Sequence, residues 1–345
     1  MEPRNRLNDI SPSEAVQLYK DDRRGEVSDA TLQSHGYRLK HFTTWCKEND
    51  IESVATLDGL ALQKFKVWRK GHDIQPATLK STLDTLRVFL RFCESLDAAQ
   101  DGLAESVNSP SLSDEDAVGT DILQAVRAKE TLAYLDRFEY ASVRHAVLRL
   151  LWATGMRMGA ARAIDLQDCH LDQASEAYIR LRNRPERDTR LKNGDRGERD
   201  VSIDEKTAIV LRDYISENRW DVQDDYGRDP LYTSRFGRLT KNTFRAYVYR
   251  LTRPCEIGKE CPHGRERESC EAVQSRMSAS KCPDSVGPHA VRRGAITHYC
   301  SEGVAGEVVS DRMNLSKKVL DQHYDFRSER EKMEQRREHV DRVDL

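Results

Sequence analysis

The chain has 345 residues, a third of them charged, and a formal net charge of -2. That length exceeds what one core usually serves, so two domains are expected, and the near-neutral balance leaves DNA or RNA binding to local patches. No apolar run approaches the roughly 18 to 20 residues that span a bilayer, and Met1 to Ser11 lacks the apolar core of a signal peptide, so a soluble cytoplasmic protein with no membrane partner is expected. Eight cysteines in such a chain read as reduced thiols or metal ligands, not as a disulfide framework.

From Ala30 to Cys46 the residues Leu32, Leu39, Phe42 and Trp45 or Cys46 fall at helical spacing, with Ser28 or Asp29 as cap. A second helix is predicted from Asp58 to Lys70, burying Leu62, Phe65 and Trp68. A third starts near Pro76 and carries Leu79, Leu83, Leu86, Leu90 and Cys93 on one stripe. Thr78, Lys80, Arg87 and Arg91 fall mostly on other faces, either as a solvated surface or as phosphate contacts. Three or four short helices thus form a bundle over residues 1–100. Between Ala98 and Thr120 periodicity dissolves into Gly102, Asn108, Ser109, Pro110 and the acidic run Asp114-Glu115-Asp116, which predicts a flexible linker over 101–120.

Helical patterning resumes at Asp121 to Leu135 and again from Tyr140 to Trp152, where Gly155 has the place of a C-cap. Arg157 follows at the start of a short helix through Ala160, Arg162 and Ile164. A guanidinium in so apolar a neighbourhood is costly unless it meets an anion, and Asp165 or Asp168 is the structural candidate. Ala177 to Leu181 and Asp200 to Ile203 alternate as strands around the basic segment Arg182 to Gly194. Its Asn193-Gly194 pair signals a tight hairpin turn with Lys192 beside it. Helices follow at Asp204 to Asn218 and Lys241 to Leu251, where Tyr247, Tyr249 and Arg250 read as core or as DNA contacts.

Cys255, Cys261, Cys270 and Cys282 then crowd into an insert over 254–283, with His263 among them. Four thiolates, or three and an imidazole, satisfy tetrahedral zinc; unliganded reduced thiols are the alternative, since no Cys-x-x-Cys knuckle is present. Lys259, Glu260, Arg265, Glu266, Arg267 and Glu268 make the insert too polar for a core of its own. A structural metal supplies such missing folding energy, about 10 to 16 kcal/mol in small zinc peptides.

The stretch Gly287-Pro288-His289-Ala290-Val291-Arg292 places His289 and Arg292 one turn apart on one helical face, with Pro288 in the first turn. A planar cationic fork binds two phosphate oxygens while an imidazole moves a proton, which is what a phosphodiester requires. A turn at Glu302-Gly303-Val304 leads to a helix through Val308, Val309 and Met313. Next come Asn314, a helix from Lys317 to His323, Tyr324, and a charged tail helix over 328–340 with Met333 and Val340 as its few apolar anchors.

Taken together, Ala153-Thr154-Gly155-Met156-Arg157, then His289-x-x-Arg292, then Tyr324 resemble the catalytic signature of the tyrosine recombinase (phage integrase) family, from about Ser28 to the C-terminus. The cysteine-rich insert and the altered position before Tyr324 resemble archaeal and archaeal-virus members. The resemblance implies a mainly α fold with a small antiparallel β-sheet or hairpin, in two domains. These are an N-terminal helical core-binding (SAM-like) domain over 1–100 and an α+β catalytic domain over 121–345, closing on DNA as a clamp.

It further implies a site-specific DNA recombinase using no cofactor in its chemistry. Tyr324 would be the nucleophile, Arg157 and Arg292 the phosphate ligands, His289 a proton acceptor or further ligand, and Lys192 the acid, with Arg187 or Arg190 as substitutes. Asn314 is a candidate fifth ligand where family members carry histidine or tryptophan, although counting nine back from Tyr324 reaches Leu315. Ala160 stands where members often carry a glutamate buttress. The implied partner is double-stranded DNA, engaged by a tetramer on two sites with the tail docked on an adjacent subunit, and no small-molecule substrate. Two other readings stay open: a non-catalytic zinc-stabilised DNA-binding regulator, and a type IB topoisomerase-like enzyme.

Overall fold

The computed structural model describes residues 7–112, 121–323 and 327–340 and divides into two compact units, Met1–Gly119 and Thr120–Leu345. The first unit is a four-helix bundle of α1 (Pro12–Asp22), α2 (Asp29–Glu48), α3 (Gly59–Lys70) and α4 (Pro76–Ser95). Ser28 and Asp58 cap α2 and α3 through side-chain oxygens that accept from Thr31 N and Ala61 N. Phe42, Trp45, Phe65 and Phe89 meet in its core.

Two features depart from expectation here. The sequence reading did not resolve α1, whose Ser11 caps Glu14 N at 3.2 Å and which buries Ala15 and Tyr19. Its local sign is Ser-x-x-Glu ahead of a short apolar stripe. The stretch read as linker also begins in ordered chain: Leu103, Ala104 and Val107 enter the same core, and Arg87 Nη2 donates to Val107 O at 2.5 Å. Residues 113–120 lie outside the described residues.

The second unit is built on α6 (Val143–Thr154), an almost wholly buried helix against which α5 (Ala125–Phe138), α8 (Glu205–Asp213), α9 (Lys241–Leu251) and α11 (Pro288–Ser301) pack. Gly294 of α11 allows the chain at Leu123 to lie against the helix; a Cβ there would sit on the Leu123 carbonyl oxygen. Further elements are α7 (Met158–Ala163), α10 (Glu271–Gln274), α12 (Gly306–Met313), α13 (Lys317–His323) and α14 (Glu329–Val340). A small apolar cluster of Ile296, Cys300, Val309, Met313 and Leu320 fastens α12 and α13 to α11. No helix among the described residues is long and apolar enough to cross a membrane.

A three-stranded antiparallel sheet, β1 (Cys169–His170), β2 (Tyr178–Leu181) and β3 (Arg199–Ser202), pairs Ile179 with Cys169 and Val201. A two-stranded ribbon joins β4 (Thr233–Ser234) to β5 (Gly237–Arg238). The β2–β3 connection is not the tight turn predicted at Asn193-Gly194. Asn193 has φ -105°, whereas that two-residue turn needs positive φ at both positions, and Gly194 instead opens a 3-10 turn to Gly197. The long loop is pinned by a buried ion network. Arg184 donates to both oxygens of Asp168 at 3.0 and 2.7 Å, and Asp165 is paired with Arg228 and Arg238. Asp165 and Asp168 are thus engaged elsewhere, and neither is the partner of Arg157.

Candidate active site

Arg292 is 1% exposed, an expensive place for a permanent charge unless its donors are met. Its Nη1 donates to Gly155 O at 2.6 Å and its Nη2 to Met313 O at 2.8 Å. Gly155 is the αL cap of α6 with φ 58°, and a Cβ there would crowd Met313 Sδ at 2.7 Å, so the cap, the sulfur and the guanidinium interlock.

Arg157, the N-cap residue of α7, is half-buried and donates from Nη1 to Asn314 O at 3.1 Å. Consecutive carbonyls at the end of α12 therefore hold two arginines from distant segments. Ala160 is a buried apolar neighbour, and among the described residues the Asn314 carbonyl is the acceptor of the Arg157 guanidinium. Asn314 adopts the left-handed conformation, φ 49° and ψ 67°. Its amide faces the β2–β3 loop: Oδ1 accepts from Asn193 Nδ2 at 3.0 Å and Nδ2 donates to Arg196 O at 3.4 Å. Leu315 belongs instead to the edge of the apolar cluster under α13.

The loop residue next to Asn193 is Lys192, which is exposed; among the described residues its ammonium has no ion pair. Asn183 fixes the loop by accepting from Leu191 N at 2.9 Å and donating to Asp195 Oδ1 at 2.6 Å. Arg187 sits in the inner loop closed by the Arg184–Thr189 pairing, where its carbonyl accepts from Arg228 Nη2, and Arg190 is exposed beyond that closure. Of the three basic candidates, Lys192 is the one adjoining the segment that touches Asn314.

Two more arginines enter the cluster, and the sequence reading had not singled them out. Arg199, the first residue of β3, donates to Arg312 O and Gly197 O, each at 2.9 Å. Arg312 donates to Ala153 O at 3.1 Å and Ser202 O at 2.7 Å and lies over the Tyr299 ring. Among the described residues no carboxylate lies within 4.0 Å of Arg157, Arg199 or Arg312. Burial, then the charges of Arg292, Arg157 and Arg312, push the Arg199 guanidinium down to about 10. A lone arginine at a strand start carries no local sign of this; only the packing of β3 against α12 reveals it.

His289 stands in the first turn of α11. Lost hydration, then Arg293, Arg292 and Arg157, push its imidazole down to about 4, so it is neutral near pH 7. Because the residue remains open to solvent, the cationic neighbours are the durable part of that shift. Tyr324 lies outside the described residues, which end on this side at His323, the last residue of α13.

The insert is anchored by Glu256, which accepts from Arg144 at 2.7 Å, Arg250 at 3.1 Å and Arg253 at 2.6 Å. Beyond it, Cys255, Cys261, Cys270 and Cys282 line one cavity together with His263. This cavity lies among residues 254–284, apart from the arginine cluster in its lining.

Residues 122–325 match the phage integrase family, and residues 22–95 match the N-terminal SAM-like domain of phage integrases. A probable integrase/recombinase protein of Methanocaldococcus jannaschii is 21% identical over 310 residues, covering 86% of this chain and 81% of the relative. Tyrosine recombinase XerD of Oceanobacillus iheyensis is 21% identical over 290 residues, covering 83% of each chain. A lambda integrase dimer bound to a COC' core site superposes with a TM-score of 0.63 at 11% identity, over 92% of this chain and 78% of that one. XerH bound to its difH substrate gives 0.60 at 16% identity, over 97% and 85%. At these identities the two structures establish the fold. The mainly helical two-part architecture, the small antiparallel sheet and a family match that spans more than half of the sequence agree: the chain belongs to the phage integrase family of tyrosine recombinases.

Proposed function

We propose that this chain is a site-specific DNA recombinase that cleaves and rejoins strands through a 3′-phosphotyrosyl intermediate on Tyr324. One observation carries the reading: Arg157 and Arg292 are held by the adjacent carbonyls of Asn314 and Met313, so two cationic forks face one place at the end of α12. Such preorganised donors, aimed where charge develops, are worth about 3 to 4 kcal/mol each in other enzymes.

The Tyr324 oxygen attacks the scissile phosphorus, and its proton passes to the neutral imidazole of His289. The bond from phosphorus to the 5′-oxygen breaks, and Lys192 protonates that leaving oxygen. Primary ammonium suits the role because guanidinium effectively never gives up its proton. Reversal with another strand's 5′-hydroxyl as nucleophile rejoins the backbone, so bond energy is conserved without a nucleotide or metal in the reaction. Asn314 acts as a clasp between Arg157 and the Lys192 loop, a narrower part than a fifth phosphate ligand.

Double-stranded DNA is the partner, a reading supported by relatives described as bound to a core site and to difH. A tetramer on two sites in the cytoplasm is the working assembly by family likeness. The test is a nicked suicide duplex that traps covalent protein. Adduct formation that disappears in Tyr324→Phe supports the reading. Adduct that survives that substitution removes Tyr324 from the mechanism, and binding without adduct in wild type leaves a DNA-binding module.

A further inference from the structure

We infer that the insert between α9 and α11 is a structural zinc site, with Cys255, Cys261, Cys270 and Cys282 as its four ligands. The inference does not rest on the recombinase chemistry, because metal content is read without DNA.

Three independent observations carry it. The first is convergence: four cysteines spread over the insert line a single cavity of about 20 Å³. That is room for one water-sized occupant. All four are free thiols and half-buried, unlike Cys46, Cys93 and Cys300, which sit deep in apolar cores.

The second is what the insert lacks. From Lys259 to Pro283 the buried residues are Ala272 and Ala279 alone, far too little apolar surface to order a segment of that length. Its hydrogen bonds are mostly short-range turn bonds such as Gly264 N to Cys261 O and Cys282 N to Ala279 O. Over longer spans Arg267 Nη1 donates to Cys255 O at 2.7 Å, Arg253 reaches the Ala272 carbonyl, and the turn Arg276–Lys281 packs on α9. Such a segment needs a crosslink, and a metal binding only the folded form supplies one.

The third is charge. Zinc with four thiolates carries two net negative charges, and the guanidiniums of Arg265 and Arg267 line the same cavity, where they offset them, alongside the carboxylate of Asp284. His263 Nε2 lies 2.8 Å from Asp284 Oδ2, so its ring is already engaged by a carboxylate at the cavity's edge. Soft thiolate donors in a closed tetrahedral set select zinc over magnesium or calcium. Among the described residues no group of three or more His, Cys, Asp and Glu side chains already stands at ion-holding geometry. Deprotonation and binding would therefore draw the sulfurs inward by closing the cavity.

The site has a route to the active centre. Ser285 Oγ donates to Cys282 O and to Ala279 O, each at 2.9 Å, and Val286 N donates to Thr252 Oγ1 at 2.9 Å. These bonds lead from Cys282 to Gly287, the N-cap of the helix that carries His289 and Arg292. Metal loss should therefore loosen the start of α11.

The experiment is metal analysis of the full-length chain purified without chelator. One zinc per chain is expected, along with a thiolate-to-cobalt charge-transfer band when Co²⁺ replaces it. Cys255→Ser and Cys282→Ser should each lose the metal, His263→Ala should keep it, and chelation should raise amide exchange at 284–290. If the serine variants do not fold, wild-type protein can be titrated with a mercurial, and zinc should leave in step with four thiols. Absence of stoichiometric zinc from folded protein, or disulfides among the four cysteines, overturns the site. Metal loss in His263→Ala overturns the four-thiolate ligand set.

Discussion

Arg157 donates to the main-chain carbonyl of Asn314 at 3.1 Å, while the side chain of that same asparagine grips Asn193, the neighbour of Lys192. One left-handed residue thus sets both the guanidinium and the loop that carries the proposed acid. Asn314→Ala must hold φ near 49°, at a cost of about 1 to 2 kcal/mol, and it also loses both amide bonds. Asn314→Gly keeps the backbone and loses only the clasp. The expected order of melting temperatures is wild type, then Gly, then Ala, with amide exchange over 192–197 faster in both variants. Equal melting of the Gly and Ala variants would remove the backbone conformation from this account.

The buried cradle of Arg292 predicts that lysine does not replace it. A single ammonium cannot reach Gly155 O and Met313 O in the geometry of a planar fork. Leaving one buried acceptor unmet costs about 1 to 3 kcal/mol. Arg292→Lys should therefore lower the denaturation midpoint and bring covalent adduct on a nicked duplex to background. Wild-type stability in this variant would show that the carbonyls do not determine the arginine's position.

How much of this was legible in the sequence follows from which interactions are local. Helix α4 announces itself through a one-faced apolar stripe and α6 through a dense apolar run, and Ser28 caps α2 where its side chain suggests. Arg157, His289 and Arg292 were legible as residue types in a spaced pattern. The acceptors of Arg157 and Arg292 were not, because main-chain carbonyls leave no mark in a sequence. Asn193-Gly194 misled for the same reason. Its local preference for a tight turn is overridden by Asn183, Asn314 and the Arg184–Asp168 pair, all tertiary contacts. Arg199 stayed hidden since only the assembled sheet brings it beside Arg292.

Gly294 predicts a steep packing penalty. An added Cβ would meet the Leu123 carbonyl oxygen and lie 3.0 Å from Trp152 Cζ3, so backbone must move. Overpacking of this kind costs about 1 to 3 kcal/mol or more. Gly159→Ala is the control, since nothing lies within 4 Å of its added Cβ. Thermal melts should show a clear drop for Gly294→Ala and no loss for Gly159→Ala.

His145 predicts a specific acid sensitivity. The imidazole is fully buried, and lost hydration, only partly offset by Asp136, pushes it down to about 4 from an ordinary 6.5. The unfolded chain therefore binds the proton first, so stability is fully present above pH 6.5 and is lost as pH falls toward 4. The size is about 3 kcal/mol once both forms are protonated. His289 adds in the same direction. Urea midpoints measured from pH 7 to pH 4 should fall steeply in wild type and less steeply in His145→Gln. An unchanged slope in that variant would assign the sensitivity to other groups.

The arginine cluster predicts a response to small anions in the absence of DNA. Burial first, and then the charges of Arg292, Arg157 and Arg312, lower the proton affinity of Arg199, so the folded chain stores repulsion there. An oxyanion bound among them relieves it and, at about 100 times its Kd, adds about 2.7 kcal/mol to stability. Sulfate or inorganic phosphate should raise the melting temperature above chloride at matched ionic strength. Sulfate also stabilises proteins generally through exclusion from their surfaces, so the decisive quantity is the difference between wild type and variant. Arg199→Gln removes repulsion but also the bonds to Arg312 O and Gly197 O, so its stability in chloride is the baseline, and from that baseline it should gain less from phosphate than wild type does. If Arg199→Gln gains as much from phosphate as wild type does, the guanidinium at the head of β3 does not face the anion, and Arg157 and Arg292 hold the phosphate without it.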